Sequence, residues 1–170
     1  MPPCRPGTRF VLYGYDTKLV GSDSFQTIKD LAGTLVLSLR ANGWASPMTK
    51  PIVFLAHSLG GVILKQALVM MAGAGEMEKH ILLMVKGAMF FGVPSKGMIT
   101  SHLLAMVSNQ PNQILVKDLS ESSKYLVQLE KQFRGISLMR KLKLIWAFET
   151  KQSVTAVVSR ETTLFPVHRS

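Results

Sequence analysis

PIVFLAHSLGGVILKQALVMMAG, residues 51–73, sets two kinds of secondary structure on either side of one very short turn. Ile52 to Ala56 is an apolar run rich in β-formers, of a length suited to one buried strand. Val62 to Met71 contains no Gly or Pro and reads as helix. Only His57-Ser58-Leu59-Gly60-Gly61 separates them, so extended chain must become helix within a few residues. A corner that sharp leaves little room beside its tip and demands small residues two positions to either side, here Ala56 and Gly60. The pattern predicts a nucleophile elbow with Ser58 at the apex and its hydroxyl raised off the sheet edge. The helix that follows would aim its positive N-terminus at whatever Ser58 attacks, with the Leu59 N–H as an oxyanion donor. The bland alternative is a plain strand-to-helix turn in an α/β domain.

Outward from this stretch, the alternation of elements continues. Arg9 to Tyr15 reads as a strand ended by Gly14 and the polar residues after it. A helix begins in the Gly21-Ser22-Asp23-Ser24 cluster, with Asp23 as cap and Gln26 in capping-box position. Phe25, Ile28, Leu31, Leu35 and Leu39 give it one apolar face, and Asn42-Gly43 stops it. After the elbow helix, Ala72 to Lys79 reads as a Gly-rich polar loop. Gly87 to Phe91 is the next strand, ending at Gly92-Val93-Pro94. Residues 97–133 interrupt the rhythm with three helical segments, around Leu103 to Val107, Ile114 to Leu119, and Leu126 to Phe133, the last started by Ser122 or Ser123. Leu142 to Phe148 returns to strand, and Val154 to Val158 suggests another. The expected class is α/β, a parallel sheet with right-handed crossovers and helices on both faces.

At this point the chain resembles a known family, the α/β-hydrolases, and within them the serine-active-site-containing hydrolases and the related lipase-like domains found in fungal proteins. The matching residues are Tyr13-Gly14-Tyr15-Asp16, Phe54-Leu55-Ala56-His57-Ser58-Leu59-Gly60-Gly61, Phe90-Phe91-Gly92-Val93-Pro94 and Phe148-Glu149-Thr150, within a span of about residues 9–159. Ala56 stands where the family usually has Gly. The resemblance implies an α/β-hydrolase core with residues 97–133 as a helical cap over the nucleophile. It also implies that the family's first strand, the His-Gly or Gly-Gly loop carrying a second oxyanion donor, and its C-terminal His segment are missing here, so that the chain reads as a partial domain. Association with endoplasmic reticulum or mitochondrial membranes is a further implication.

A serine hydroxyl needs a base to take its proton and a carboxylate to hold that base. The family's chain order is Ser, acid, His. Ser58 is the candidate nucleophile. Glu149, at the C-terminal end of a strand, is the candidate acid, also favoured by the resemblance. Asp118, among the cap helices, is the alternative, and Asp16 precedes the serine and reads as a loop cap. Among four histidines, His57 leaves the elbow in another direction, and His80 and His102 precede the acid. Only His168 follows Glu149, 19 residues on (168 − 149), and is the candidate base or else a tail histidine.

Composition narrows the classes. Of 170 residues 47% are hydrophobic, ample for a packed core. Lys65 and Lys86 interrupt the longest apolar runs before the ~18 residues of a membrane span. Met1 to Thr8 has no apolar segment of the secretory kind. Cys4, the single cysteine, excludes an internal disulfide and fits an intracellular, reducing compartment. The net charge of +10 could draw the chain to an anionic membrane surface, although Lys and Arg are scattered except in Arg134 to Lys143. Metal-ligand spacing, phosphate-cradling loops and nucleic-acid motifs are lacking, so no cofactor and no nucleic-acid partner are expected. Two functional readings follow: a serine esterase or lipase acting on small-molecule or lipid esters, or a catalytically inactive hydrolase-like module or truncated fragment.

Overall fold

The computed structural model describes residues 7–16, 18, 21–137 and 141–147. In chain order its elements are α1 (Ile28–Ala41), β1 (Ile52–His57), α2 (Leu59–Gly73), α3 (Glu76–Met84), β2 (Val85–Phe91), α4 (Ser101–Met106), α5 (Gln113–Asp118), α6 (Lys124–Gly135) and β3 (Lys143–Ala147). The three strands form one parallel sheet in the order β1-β2-β3. The class is α/β, a parallel sheet with helices packed against it.

The sheet has unlike faces. Phe54, Ala56, Ala88, Phe90, Leu144 and Trp146 point to the side on which the core is built, in the register Ala56↔Phe90↔Trp146. Phe90 stacks on Trp146 at 4.4 Å between ring centroids and meets Phe133 of α6 edge-on at 6.2 Å. α2 lies between α1 and α6 on this side. It is apolar nearly all round, with Val62, Ile63, Leu64, Ala67, Leu68 and Met71 buried, as a helix covered by neighbours must be. The opposite side carries Val53, Leu55, Phe91 and Ile145, all exposed. Helices on both faces were expected, and among the described residues one face is bare. The strand order explains this. Successive right-handed crossovers that step the same way across a sheet deposit their helices on the same side.

Three further expectations change. Arg9 to Tyr15 joins no strand among the described residues. Its β-forming side chains stay largely outside, with Phe10 78% and Leu12 96% exposed, because no neighbouring strand offers it a ladder. α1 begins later than Asp23. Thr27 caps it, in a capping box where Thr27 Oγ1 accepts from the Asp30 N–H and the Asp30 carboxylate accepts from the Thr27 N–H at 2.8 Å. Phe25 is consequently left outside the helix and exposed, whereas Ile28, Leu31, Leu35 and Leu39 are buried as the periodicity requires. Finally, Glu76–Met84 is helix. The loop after α2 shrinks to Ala74 and Gly75, and Ile81 and Leu82 bury as the inward face of α3.

Between β2 and β3 the three helical segments stand where the sequence placed them. α6, capped by Ser123, whose Oγ accepts from the Leu126 N–H, buries Leu126, Leu129 and Phe133 and packs on α2. α4 buries nothing, and Ile99, Met106 and Ile114 face outward around it and α5. Polar bonds tie this region to the segment before α1: the Gly21 N–H donates to Gln110 Oε1 at 2.8 Å, and Asn112 Nδ2 donates to the Lys18 carbonyl at 3.2 Å. No helix among the described residues is long and apolar enough to cross a membrane.

Candidate active site

β1 delivers the chain to Ser58, and α2 starts one residue later. Between them Ser58 takes φ 50° and ψ −127°. A residue with a Cβ pays steric strain there, on the order of 1–3 kcal/mol, and holds it only where the surroundings fix the backbone. Three contacts do so. The Ser58 N–H donates to the Phe91 carbonyl at 2.9 Å, extending the β1–β2 ladder to the tip. The Gly61 N–H donates to the Ser58 carbonyl at 3.0 Å. Gly61 itself rests on Val93, so closely that a methyl at Gly61 would overlap the Val93 side chain. The Gly92-Val93-Pro94 segment after β2 thus braces the corner from the side.

Among the described residues nothing holds the Ser58 hydroxyl. Serine at a helix start normally caps it, as Ser123 does for α6, but Ser58 makes no such bond, and among the described residues its hydroxyl has no hydrogen-bond partner. Ser58 and Leu59 are half-buried, neither sealed nor fully solvated. Leu59 is the first residue of a 15-residue helix, so its N–H is one of the unsatisfied donors of that terminus. A Cβ at Gly60 would come within 3.2 Å of the Tyr15 hydroxyl, so Tyr15 reaches over the first turn of α2.

The other candidates scatter. Glu149 and His168 lie outside the described residues; β3 ends at Ala147, two residues before Glu149. His57 is exposed, on the bare face, in register with Phe91. The His80 Nε2 is 3.2 Å from the Ser46 carbonyl, and His102 is exposed on α4. Asp118 closes α5, half-buried. Burial raises its carboxyl above the ordinary range, against the pull of Lys29 and Lys117. Asp16 accepts from the Lys18 N–H at 2.8 Å, a local turn bond. No group of three or more His, Cys, Asp or Glu stands together as a metal site among the described residues.

Further along α2 lies a group that the sequence alone did not disclose. Lys65 is 2% exposed. Its ammonium donates to Glu130 Oε2 at 2.7 Å and to Ser95 Oγ at 2.8 Å. It sits over the rings of Trp146, Phe133 and Phe90 at 4.5, 5.4 and 5.8 Å from their centroids. Burial lowers its pKa from the usual lysine value, and Glu130 opposes that shift. Burial raises the Glu130 carboxyl, but Lys65 and Arg134 outweigh it and hold it below the ordinary value. One cation therefore joins α2, the segment after β2, β3 and α6. The readable signal was a lone charged residue inside an otherwise uncharged helix; the partner that explains it is 65 residues further on.

Comparison with known proteins finds distant likenesses. No family model matches the chain. Over 151 residues, 85% of this chain, it is 27% identical to Protein SERAC1 of Danio rerio and spans only 23% of that protein's length. Among solved structures it is similar to the Bacillus licheniformis lipase BlEst2. The mature form gives a TM-score of 0.49 at 18% identity, covering 71% of this chain and 47% of the lipase. The propeptide form gives 0.49 at 14%, covering 71% and 26%. The chain thus presents a strained serine between a parallel strand and a buried helix, and its likenesses to known proteins are distant ones.

Proposed function

We propose that this chain is a serine esterase of lipase type, acting on carboxylic esters through an acyl-enzyme at Ser58. The observation that carries the proposal is the Ser58 backbone at φ 50° with a hydroxyl withheld from capping α2. Strain of this kind is kept where a side chain must be presented rather than packed. The chemistry would run in two stages. Ser58 Oγ attacks the ester carbonyl carbon and gives its proton to an imidazole, for which His168 is the candidate, oriented by Glu149. The carbonyl π electrons move to oxygen, where the Leu59 N–H and the α2 terminus stabilise the charge. Collapse expels the alcohol carrying that proton, and water then releases the acid and restores the serine.

Lipid-like esters are the favoured substrates. The exposed Ile99, Met106 and Ile114 of the region between β2 and α6 offer apolar surface that could receive an acyl chain, and the net charge of +10 suits weak contact with an anionic membrane surface. In this reading residues 97–133 act as the cap.

A fluorophosphonate probe tests the assignment. It should label the purified chain at Ser58, and Ser58→Ala should abolish labelling. A cooperatively folded chain that takes no label and turns over no p-nitrophenyl ester would instead be a hydrolase-like binding module.

A further inference from the structure

The Leu59 N–H is one donor, and tetrahedral oxyanions in acyl transfer are held by more than one. Residues 7–16 form neither helix nor strand, yet two of their side chains are anchored. The Tyr13 hydroxyl donates to the Leu31 carbonyl of α1 at 2.9 Å. The Tyr13 and Tyr15 rings pack at 5.9 Å between centroids, tilted by 37°. This places the Tyr15 ring, half-buried, against the start of α2, its hydroxyl beside Gly60. Gly60 follows the oxyanion donor Leu59 and is two residues from Ser58. Unlike the Tyr13 hydroxyl, the Tyr15 hydroxyl has no hydrogen-bond partner among the described residues. A Cβ at position 60 would press on the phenol at 3.2 Å and shift it by a few tenths of an ångström.

We infer that Tyr15 is a further catalytic residue of the Ser58 site, its hydroxyl donating a hydrogen bond to the ester carbonyl oxygen as that oxygen takes up charge. The inference rests on the esterase reading above. As Ser58 Oγ bonds to the carbonyl carbon, the C=O π pair moves to oxygen, the Ser58 proton passes to the imidazole base, and the Tyr15 O–H and Leu59 N–H together hold the anion. The phenol keeps its own proton throughout and remains a donor. Burial, with Tyr13 beside it, raises its pKa from the usual tyrosine value, so it stays protonated at neutral pH. Tyr13 holds the loop; Tyr15 meets the substrate.

The test compares Tyr15→Phe and Tyr13→Phe with the parent chain, by fluorophosphonate labelling rate, p-nitrophenyl butyrate kinetics and thermal melting. Tyr15→Phe should melt at the parent temperature, keep its KM, and lose about 10²-fold in kcat and in labelling rate, the loss expected for one oxyanion donor. Tyr13→Phe should melt lower and keep its kcat at temperatures where it is folded. Activity of Tyr15→Phe within twofold of the parent would overturn the assignment while leaving Ser58 as nucleophile. Equal kcat losses in both variants would overturn it too, since displacement of the loop would then suffice. Failure of the parent chain to label at Ser58 would remove the esterase reading and Tyr15's role with it.

Discussion

Lys65 and Glu130 show how one residue pair can be costly and still hold a structure together. A buried ion pair seldom stabilises more than an apolar substitute would, but breaking it from one side leaves an uncompensated charge. The two sides here are unequal. Glu130 also accepts from Arg134 Nε at 2.8 Å, so removing Lys65 leaves the carboxylate a partner. Removing the carboxylate leaves a cation 2% exposed among three aromatic rings. Glu130→Gln should therefore cost about 3–5 kcal/mol, and Lys65→Met no more than about 2 kcal/mol, in urea melts. The pH dependence has a definite sign. The folded-state pKa of Glu130 lies below its ordinary 4.5, so its contribution is complete above that value and is lost as pH falls further through the folded pKa. The acid-side decline in melting temperature should be shallower in Glu130→Gln than in the parent chain. An equally steep decline in the variant would show that other carboxylates govern it.

At the scale of elements, packing against a neighbour separates what could be read in the sequence from what could not. β1, the corner and α2 were legible because strand, turn and helix signals follow one another within residues 51–73 and leave no other arrangement. β3 and α6 were legible for similar local reasons: a β-rich run, and a serine cap before apolar residues at helical spacing. The start of α1 was not, because Asp23 and Thr27 both offer a cap with a polar residue three positions on. The Thr27–Asp30 pair prevails, placing Ile28 at 0% exposure. α3 was missed because its first turn, Glu76 to Lys79, is polar and follows two glycines like a loop, while its apolar residues from Ile81 run without a break into those of the strand that starts at Val85. Arg9 to Tyr15 has strand composition without a strand partner, and composition carries no information about partners. Two glycines make the same point as a prediction. Gly33 lies inside α1, where a Cβ would meet only Met70 Cε, at an ordinary 3.6 Å, so Gly33→Ala should stabilise by about 0.4–1 kcal/mol. Gly61→Ala drives a methyl into Val93, should destabilise by about 1–3 kcal/mol, and should slow fluorophosphonate labelling by shifting the Ser58 corner. Parallel melting of the two variants checks both signs.

For the whole molecule, the consequence of the strand order is a sheet whose two sides obey different energetics. Parallel sheets ordinarily have both faces covered, and a bare one exposes contiguous apolar area that favours association. Val53 and Leu55 are 65% and 69% exposed on β1, which also has an unpaired edge among the described strands. A charge placed there removes little packing. Leu55→Lys should leave stability within about 0.5 kcal/mol of the parent. It should also lower binding of the dye ANS and reduce concentration-dependent light scattering. The same strands seen from the other side give the opposite result. Phe90 is 0% exposed between Trp146 and Phe133, and Phe90→Ala should cost about 3–5 kcal/mol by opening a cavity under the Lys65 cation. The contrast between neighbouring strands is the test: if Leu55→Lys melts as low as Phe90→Ala, then something packs on the Leu55 face in solution, and the sheet is two-sided after all.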